Sequence, residues 1–536
     1  MKNRYLLIIT LLAFVSGYAQ VSFTPQANNT TGSDRAVVDM NGDFLDDIVS
    51  ITSTNIQIFY QQPDGSFVET NITTNIADNT PSWSLAAADY DGNGYTDLLY
   101  GGGNGVTFMR ANNDGTAYSE VTFTEYVFSQ RSNFVDINND GHLDAFVCHD
   151  VEPNVYFIND GSGNFTFNQG GIGDYPTGGH YGSVWIDYDN DGDMDMFNAK
   201  CNVSGVLNER SEDELHNNDG SGNFTEVGAA AGLEDQMQTW SSAWADFDND
   251  GDMDVFGGSS NNGDPHKLKI NNGDGTFTEI TNTTGINVLT ATGIENCAYD
   301  FNNDGYADIA SNGNILLNNG DLTFTVVSNV IPSNNGSFGD LNNDGFIDSF
   351  TGGTIYYNDG NDNNWITINT VGVDSNLNGI GARVTITSDL GTQIRDVRSG
   401  EGFRYMSTLN THFGLGQDTE IATITITWPS GLVDTLEDVA VNQVINVAEG
   451  STILGVTDNG LDNLFIYPNP VSENLQISTL KDFSNPFYSI FDIQGKMVTS
   501  GKLKEPTINV GSLASGNYVL KVYDGTIAKT QKFIKN

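Results

Sequence analysis

Seven nine-residue stretches of this chain each set at least four oxygen-bearing side chains where a hard cation could collect them. The pattern Asp-x-Asx-x-Asx-Gly-x-x-Asp opens at Asp39, Asp89, Asp136, Asp187, Asp246, Asp300 and Asp340. A tightly turning loop aims alternate side chains inward, so positions 1, 3 and 5 converge on one point. Position 6 must turn sharply, and glycine reaches positive φ at least cost. Position 7 then offers its carbonyl oxygen, and an aspartate at position 9 closes the shell. Calcium takes about 6–8 oxygen ligands at roughly 2.3–2.6 Å, whereas magnesium prefers a small, water-rich octahedron. No Cys or His cluster suggests zinc.

Up to seven calcium ions are therefore expected. The fullest loops are Asp187, Asp189, Asp191, Asp193 and Asp195, and then Asp246, Asp248, Asp250, Asp252 and Asp254, with Asp193 and Asp252 giving carbonyls. Asparagine thins the others. They are Asp89, Asp91, Asn93 and Asp97; Asp136, Asn138, Asp140 and Asp144; Asp300, Asn302, Asp304 and Asp308; and Asp340, Asn342, Asp344 and Asp348. The first loop has Asp39, Asn41, Asp43 and Asp47, but Phe44 takes the glycine place and Asp46 adds a carboxylate. A bulky residue resists positive φ. This loop is the expected weakest site.

The elements holding these loops are short strands. Successive loops lie 50, 47, 51, 59, 54 and 40 residues apart, too irregular for a rigid solenoid. The fifth unit shows the plan: Ser241–Ala245, the acidic loop, Val255-Phe256, His266–Ile270, the turn Asn272–Gly275, then Phe277–Ile280. Asn-Gly and Asp-Gly turns suit hairpins because they tolerate positive φ. Four strands repeated seven times predict an all-β, seven-bladed calcium-binding β-propeller over residues 20–363. The seventh unit lacks its fourth strand, while Val21–Thr24 stands orphaned before the first loop. That N-terminal strand is expected to complete the last blade. Trp83, Trp185, Trp240 and Trp244, just ahead of loops, are expected to pack between blades.

Charge narrows the partners. Asp and Glu number 69 against 21 Lys and Arg, for a net charge of −48. Nucleic acid and anionic membranes need the opposite sign. Of those acids 26 lie inside the loops, where cations would neutralise them. Residues 1–19 read as a signal peptide, with Lys2 and Arg4 ahead of the apolar run Tyr5–Val15 and small residues before Gln20. No other segment is apolar enough to span a bilayer. Cys148, Cys201 and Cys297 form no disulfide framework, although a Cys148–Cys201 bridge is conceivable; three buried thiols are favoured.

The segments "WADFDNDGDMDVF" and "INNGDGTFTEI" resemble FG-GAP/VCBS repeats of integrin-type propellers, which implies calcium in the loops. Residues 364–450, with "NGIGARVTI", "VRSGEGF", "HFGLG" and "ITWPSGLVDTLEDV", resemble the ASPIC/UnbV domain and are expected to form a small β domain. That domain follows such repeats in proteins similar to cartilage acidic protein. There Arg383, Arg398 and His412 are expected at the surface. Residues 451–462 read as a linker. The tail, 463–536, has "YPNP", "IFDIQGKMV" and "LASGNYVLKV" and is similar to the type A C-terminal sorting domain of type IX secretion. It is expected to be a β-sandwich. The resemblance implies the type IX machinery as a partner and the outer surface of a Gram-negative bacterium, or release from it, as the destination.

No nucleophile elbow, zinc motif or phosphate loop is present, and no catalytic residue is assigned. The favoured function is non-catalytic adhesion to glycan, matrix or protein, with the ligand-binding residues unassigned. A calcium-dependent polysaccharide lyase or hydrolase is the alternative. If the inner strand runs into the calcium loop, the long connections 169–182, 198–215, 228–239 and 257–265 share the opposite face, where function usually sits. His180, Lys200, Arg210 and His266 are possible contacts there, each expected to be solvated.

Overall fold

The computed structural model describes residues 21–202, 208–261, 264–286, 293–452, 466–477, 483, 486–492, 496–504, 506–524 and 528–536. The signal-peptide segment 1–19 and most of the linker 451–462 lie outside the described residues.

Alternating buried residues and Asp/Asn-Gly turns produce short antiparallel strands throughout. Seven four-stranded sheets occupy residues 23–358. The first runs Ser33–Val38, Asp47–Thr52, Asn55–Gln61 and Phe67–Thr73. Six sheets use four consecutive strands. The seventh has only Ser337–Gly339, Asp348–Thr351 and Thr354–Asn358 of its own. Phe23–Ala27 pairs antiparallel with Thr354–Asn358, Phe23 opposite Asn358, as the orphaned N-terminal strand led us to expect. Ser33–Val38 lies beside both Ser84–Ala88 and Ser337–Gly339, so the series of inner strands returns to its start. This is the arrangement of a propeller. Each sheet buries apolar residues against the next, as where Phe146 meets Trp185 and Phe197 meets Trp244.

Residues 364–450 form a second unit. One sheet joins Thr411–Gly416, Asn364–Val371 and Gln443–Ala448; the other joins Gly391–Asp396, Arg383–Ser388, Glu420–Thr427 and Val433–Ala440. Its core, with Ile366, Ile386, Ile424 and Trp428, is continuous with Phe108, Phe134 and Phe157 of the ring. The tail has separate sheets and its own cluster around Leu475, Ile490, Leu520 and Phe533. Among the described residues, no helix is long and apolar enough to cross a membrane.

Between two strands of the second unit, residues 397–408 leave it and enter the ring. Arg131 Nη1 donates to the Tyr405 carbonyl at 2.6 Å, Asn133 Nδ2 to Ser399 O at 2.8 Å, and Leu85 N–H to Arg404 O at 3.2 Å. Met406 exchanges backbone bonds with Arg35 and Val37. Phe338 N–H donates to Ser407 Oγ, Arg398 to Trp244 O, and Phe403 N–H to Glu295. With the Phe403–Tyr181 ring contact at 6.0 Å, this segment touches inner-strand residues, or the residue beside them, in every sheet. It fills the axis.

Candidate metal centres and the buried axis

Each acidic loop links an inner strand to the second strand of its sheet, and backbone N–H groups fix its outline. In the second loop, Asp89 accepts from Asn93 N–H at 3.0 Å and Gly94 N–H at 2.6 Å. The position-9 aspartate works from the other end. Asp308 accepts from Phe301 N–H at 2.9 Å and, across the sheet, from Asn318 N–H at 2.8 Å. Asp47, Asp97, Asp144, Asp195, Asp254, Asp308 and Asp348 are all buried.

Carboxylate oxygens converge to within 4.8 Å of one another in Asp89, Asp91 and Asp97, in Asp187, Asp189 and Asp195, and in Asp246, Asp248 and Asp250. In the other four loops position 3 is asparagine. Asn41, Asn138, Asn302 and Asn342 donate from Nδ2 to the position-5 carboxylate at 3.1, 3.0, 2.9 and 2.9 Å. Burial first, and neighbouring carboxylates in addition, push Asp144 up to about 8 and Asp195 and Asp254 up to about 9. Asp47, Asp97, Asp308 and Asp348 are raised by the same two causes. Among the described residues, the loop aspartates meet a basic side chain only where Arg110 reaches Asp91 and Arg383 approaches Asp187 at 3.7 Å. All-oxygen donors, crowded and short of positive charge, fit a hard divalent cation.

Two loop features were missing from the sequence reading. Position 4 also sits at positive φ: Asn139, Asn190, Asn249, Asn303 and Asn343 lie between 55° and 61°, with Gly42 and Gly92 in the first two loops. From there the asparagine reaches its neighbour, Asn249 Nδ2 donating to Gly305 O at 3.0 Å, Asn303 to Gly345 O at 2.8 Å and Asn343 to Gln62 O at 3.1 Å. Second, an asparagine closes the third strand in five sheets, as Asn159, Asn218, Asn271, Asn318 and Asn358. Four of these bond the position-2 carbonyl of the preceding loop: Tyr90, Tyr188, Phe247 and Phe301. Asparagine recurring in phase at both places was the available signal. In the first loop Phe44 does adopt φ 68°, and Asp46 turns to accept the Asp340 N–H of the seventh at 3.0 Å.

Family comparison agrees with this geometry. A model of the FG-GAP-like repeat matches residues 39–100, 89–147, 136–197 and 203–257; the ASPIC and UnbV model matches 372–453, and the secretion system C-terminal sorting domain 465–536. The chain carries FG-GAP-like repeats, an ASPIC/UnbV domain and a type IX sorting tail. The tail marks secretion and cell-surface attachment in Bacteroidetes. No curated protein matches the chain. A solved lectin of Agrocybe aegerita that recognises non-reducing terminal N-acetylglucosamine is 19% identical over 64% of this chain and 86% of its own, at a TM-score of 0.38. PorZ, a surface component of the type IX system of Porphyromonas gingivalis, is 14% identical over 94% and 81%, at 0.21. The V. cholerae biofilm matrix protein Bap1 is 11% identical over 96% and 70%, at 0.27.

The ASPIC/UnbV domain sits on the loop side of the FG-GAP repeats. Asn410 Nδ2 donates to Phe44 O, Asp89 N–H to Asn378 Oδ1, and Arg383 to Asp187 O at 2.7 Å. His412 Nε2 is 2.7 Å from Asn303 Oδ1, and Trp365 lies over Gly345. This overturns the surface placement of Arg383, Arg398 and His412. All three are largely buried, because the domain turns them inward onto the loops and axis. Burial pushes His412 down to about 3.

On the opposite side His180, Lys200 and His266 are buried rather than solvated. Lys200 Nζ lies 2.6 Å from Glu214 and 4.7 Å from the Tyr175 ring centre. Glu214 also meets His216 at 3.2 Å. Arg210 is mostly buried against Asp150. The three cysteines are free and buried. Trp185 and Trp244 pack inside, while Trp83 and Trp240 are half-exposed around Phe403.

Proposed function

We propose that this protein is a secreted, calcium-loaded ring of seven blades that binds an extracellular glycan or protein non-catalytically, through the face opposite its acidic loops. One observation carries that choice of face. Of the ring's four exposed large hydrophobics among the described residues, Ile76, Tyr126 and Val151 lie on connections of that face, and only Val68 lies on an outer strand. The loop face is covered by the ASPIC/UnbV domain and the axis is filled. Exposed apolar groups, with Trp83 and Trp240 half-exposed at the same end of the inner strands, suit stacking on a sugar ring or burial against a protein.

The lyase or hydrolase alternative has its own candidate in Lys200, His180, His216 and Glu214. These groups are mutually paired and closed off, Lys200 being 1% and His180 0% exposed, which favours binding over catalysis. A glycan array probed with mature protein, with and without chelator, tests the proposal. Signal lost both with EDTA and in Tyr126→Ser is expected. New reducing ends released from a bound polysaccharide would instead establish the enzyme.

A further inference from the structure

Docking of the ASPIC/UnbV domain leaves a cavity of about 50 Å³ beside the axis, where apolar residues mix with Tyr299, Arg395, Arg398, Glu401, Thr408 and Asn410. A buried water needs roughly 10–15 Å³ on this measure, so the space admits several waters or one small ion. Arg398, whose side chain is only 8% exposed, donates through Nη2 to Trp244 O at 3.1 Å and Glu401 at 2.5 Å. Its Nε and Nη1 have neither protein partner nor solvent access. Arg395 donates through Nη1 to Ile394 O at 2.8 Å and lies over Phe413, and its Nη2 is equally unpartnered.

Two arginines and two acids line the cavity, but the acids are shared unevenly. Glu401 answers Arg398, while Asp396, the other acid on the lining, is engaged by Arg383 at 2.7 and 3.0 Å. Arg395 makes no ion pair within 4 Å among the described residues, the carboxylates of Asp300 and Asp246 acting on it only from farther away. Orphaned N–H groups on buried guanidinium ions are costly, and a planar fork of donors matches the oxygens of an oxyanion. We propose that this cavity binds one tetrahedral oxyanion of the sulfate or phosphate class, held by the free N–H groups of Arg395 and Arg398. The anion joins the ASPIC/UnbV domain to the ring, since both arginines come from that domain while Trp244, Ala245 and Tyr299 of the ring also line the cavity.

The probe is sulfate, and selenate in crystals, with full mature protein kept in calcium. Sulfate should raise the melting temperature above chloride at matched ionic strength, with a constant increment per decade once the site is filling. Sulfate also stabilises proteins generally by exclusion from their surface. Arg398→Gln and Arg395→Gln should therefore lose the specific increment and keep only the general one, while Lys502→Gln in the tail keeps both. Anomalous selenate density between the two guanidinium groups reads the site directly, even if the variants fold poorly. Phosphate displacing selenate assigns the site to phosphate; no displacement assigns it to sulfate. An equal increment in wild type and both arginine variants, no increment at all, or a cavity without selenate each overturns the proposal.

Discussion

Asn318 Nδ2 lies 2.7 Å from the carbonyl oxygen of Phe247, 71 residues earlier and in the neighbouring acidic loop. The same nitrogen donates at 3.2 Å to Ala307 O of its own loop, so one amide ties two candidate metal loops together. Asn318→Ala removes both bonds and strands two buried carbonyls. The expected cost is about 2–4 kcal/mol. It should be visible in denaturant unfolding as a lower midpoint, and an unchanged midpoint would refute the latch.

Crowded carboxylates need a cation between them. EDTA should lower the melting temperature, each calcium site held at 100 times its dissociation constant contributing about 2.7 kcal/mol. Asp254→Asn should reduce the calcium content found by elemental analysis by one ion per chain. Mature protein that carries no calcium at millimolar supply, and melts identically in EDTA, would sink the metal assignment.

Phe44 holds φ 68° where the other six loops have glycine. Phe44→Gly removes a left-handed penalty of about 1–2 kcal/mol but frees the unfolded chain by about 0.5–1 kcal/mol. Net stability should change little while the first loop gains calcium affinity, measurable by titration calorimetry against wild type. A variant that binds calcium no better would place the weakness of that loop elsewhere.

A Cβ added at Gly400 would fall 1.2 Å from Arg131 Nη2, at a backbone φ of 101°. Gly400→Ala should therefore expel residues 397–408 from the axis and speed proteolysis between the ring and the ASPIC/UnbV domain. Gly103→Ala, whose new methyl would meet only Trp83 at 3.7 Å, is the control. Equal proteolysis of the two variants would contradict a packed axis.

Glu449 Oε2 accepts backbone N–H groups of Val373, Asp374 and Ser375 at 2.7, 2.8 and 2.8 Å. Burial acts to raise its pKa, but backbone N–H groups together with the Ser430 and Ser375 hydroxyls outweigh it and hold the carboxyl below its ordinary value. A depressed folded-state pKa gives stability above the unfolded value of about 4.3 and loses it as pH falls through the folded one. Glu449→Gln should lose about 1–3 kcal/mol at neutral pH and flatten the acid limb of the melting curve. An acid limb as steep as wild type would exclude this carboxylate as its source.

The sequence by itself determined the local chemistry: acidic loops at fixed spacing, hairpin turns, four strands to a unit, and an N-terminal strand left over for the last sheet. The first three rest on contacts within nine residues or one hairpin, which residue type and period encode directly, and the last follows from counting strands in each unit. Position 4 was equally legible, since asparagine or glycine fills it in all seven loops. Only the tertiary structure decided the fate of Arg383, Arg398 and His412, because burial there comes from docking one domain on another's loops. It also decided that residues 397–408 fill the axis and that His180 and Lys200 lie closed off. Such placements depend on which surfaces meet after each unit has folded, and a polar residue carries no local mark of the surface that will cover it.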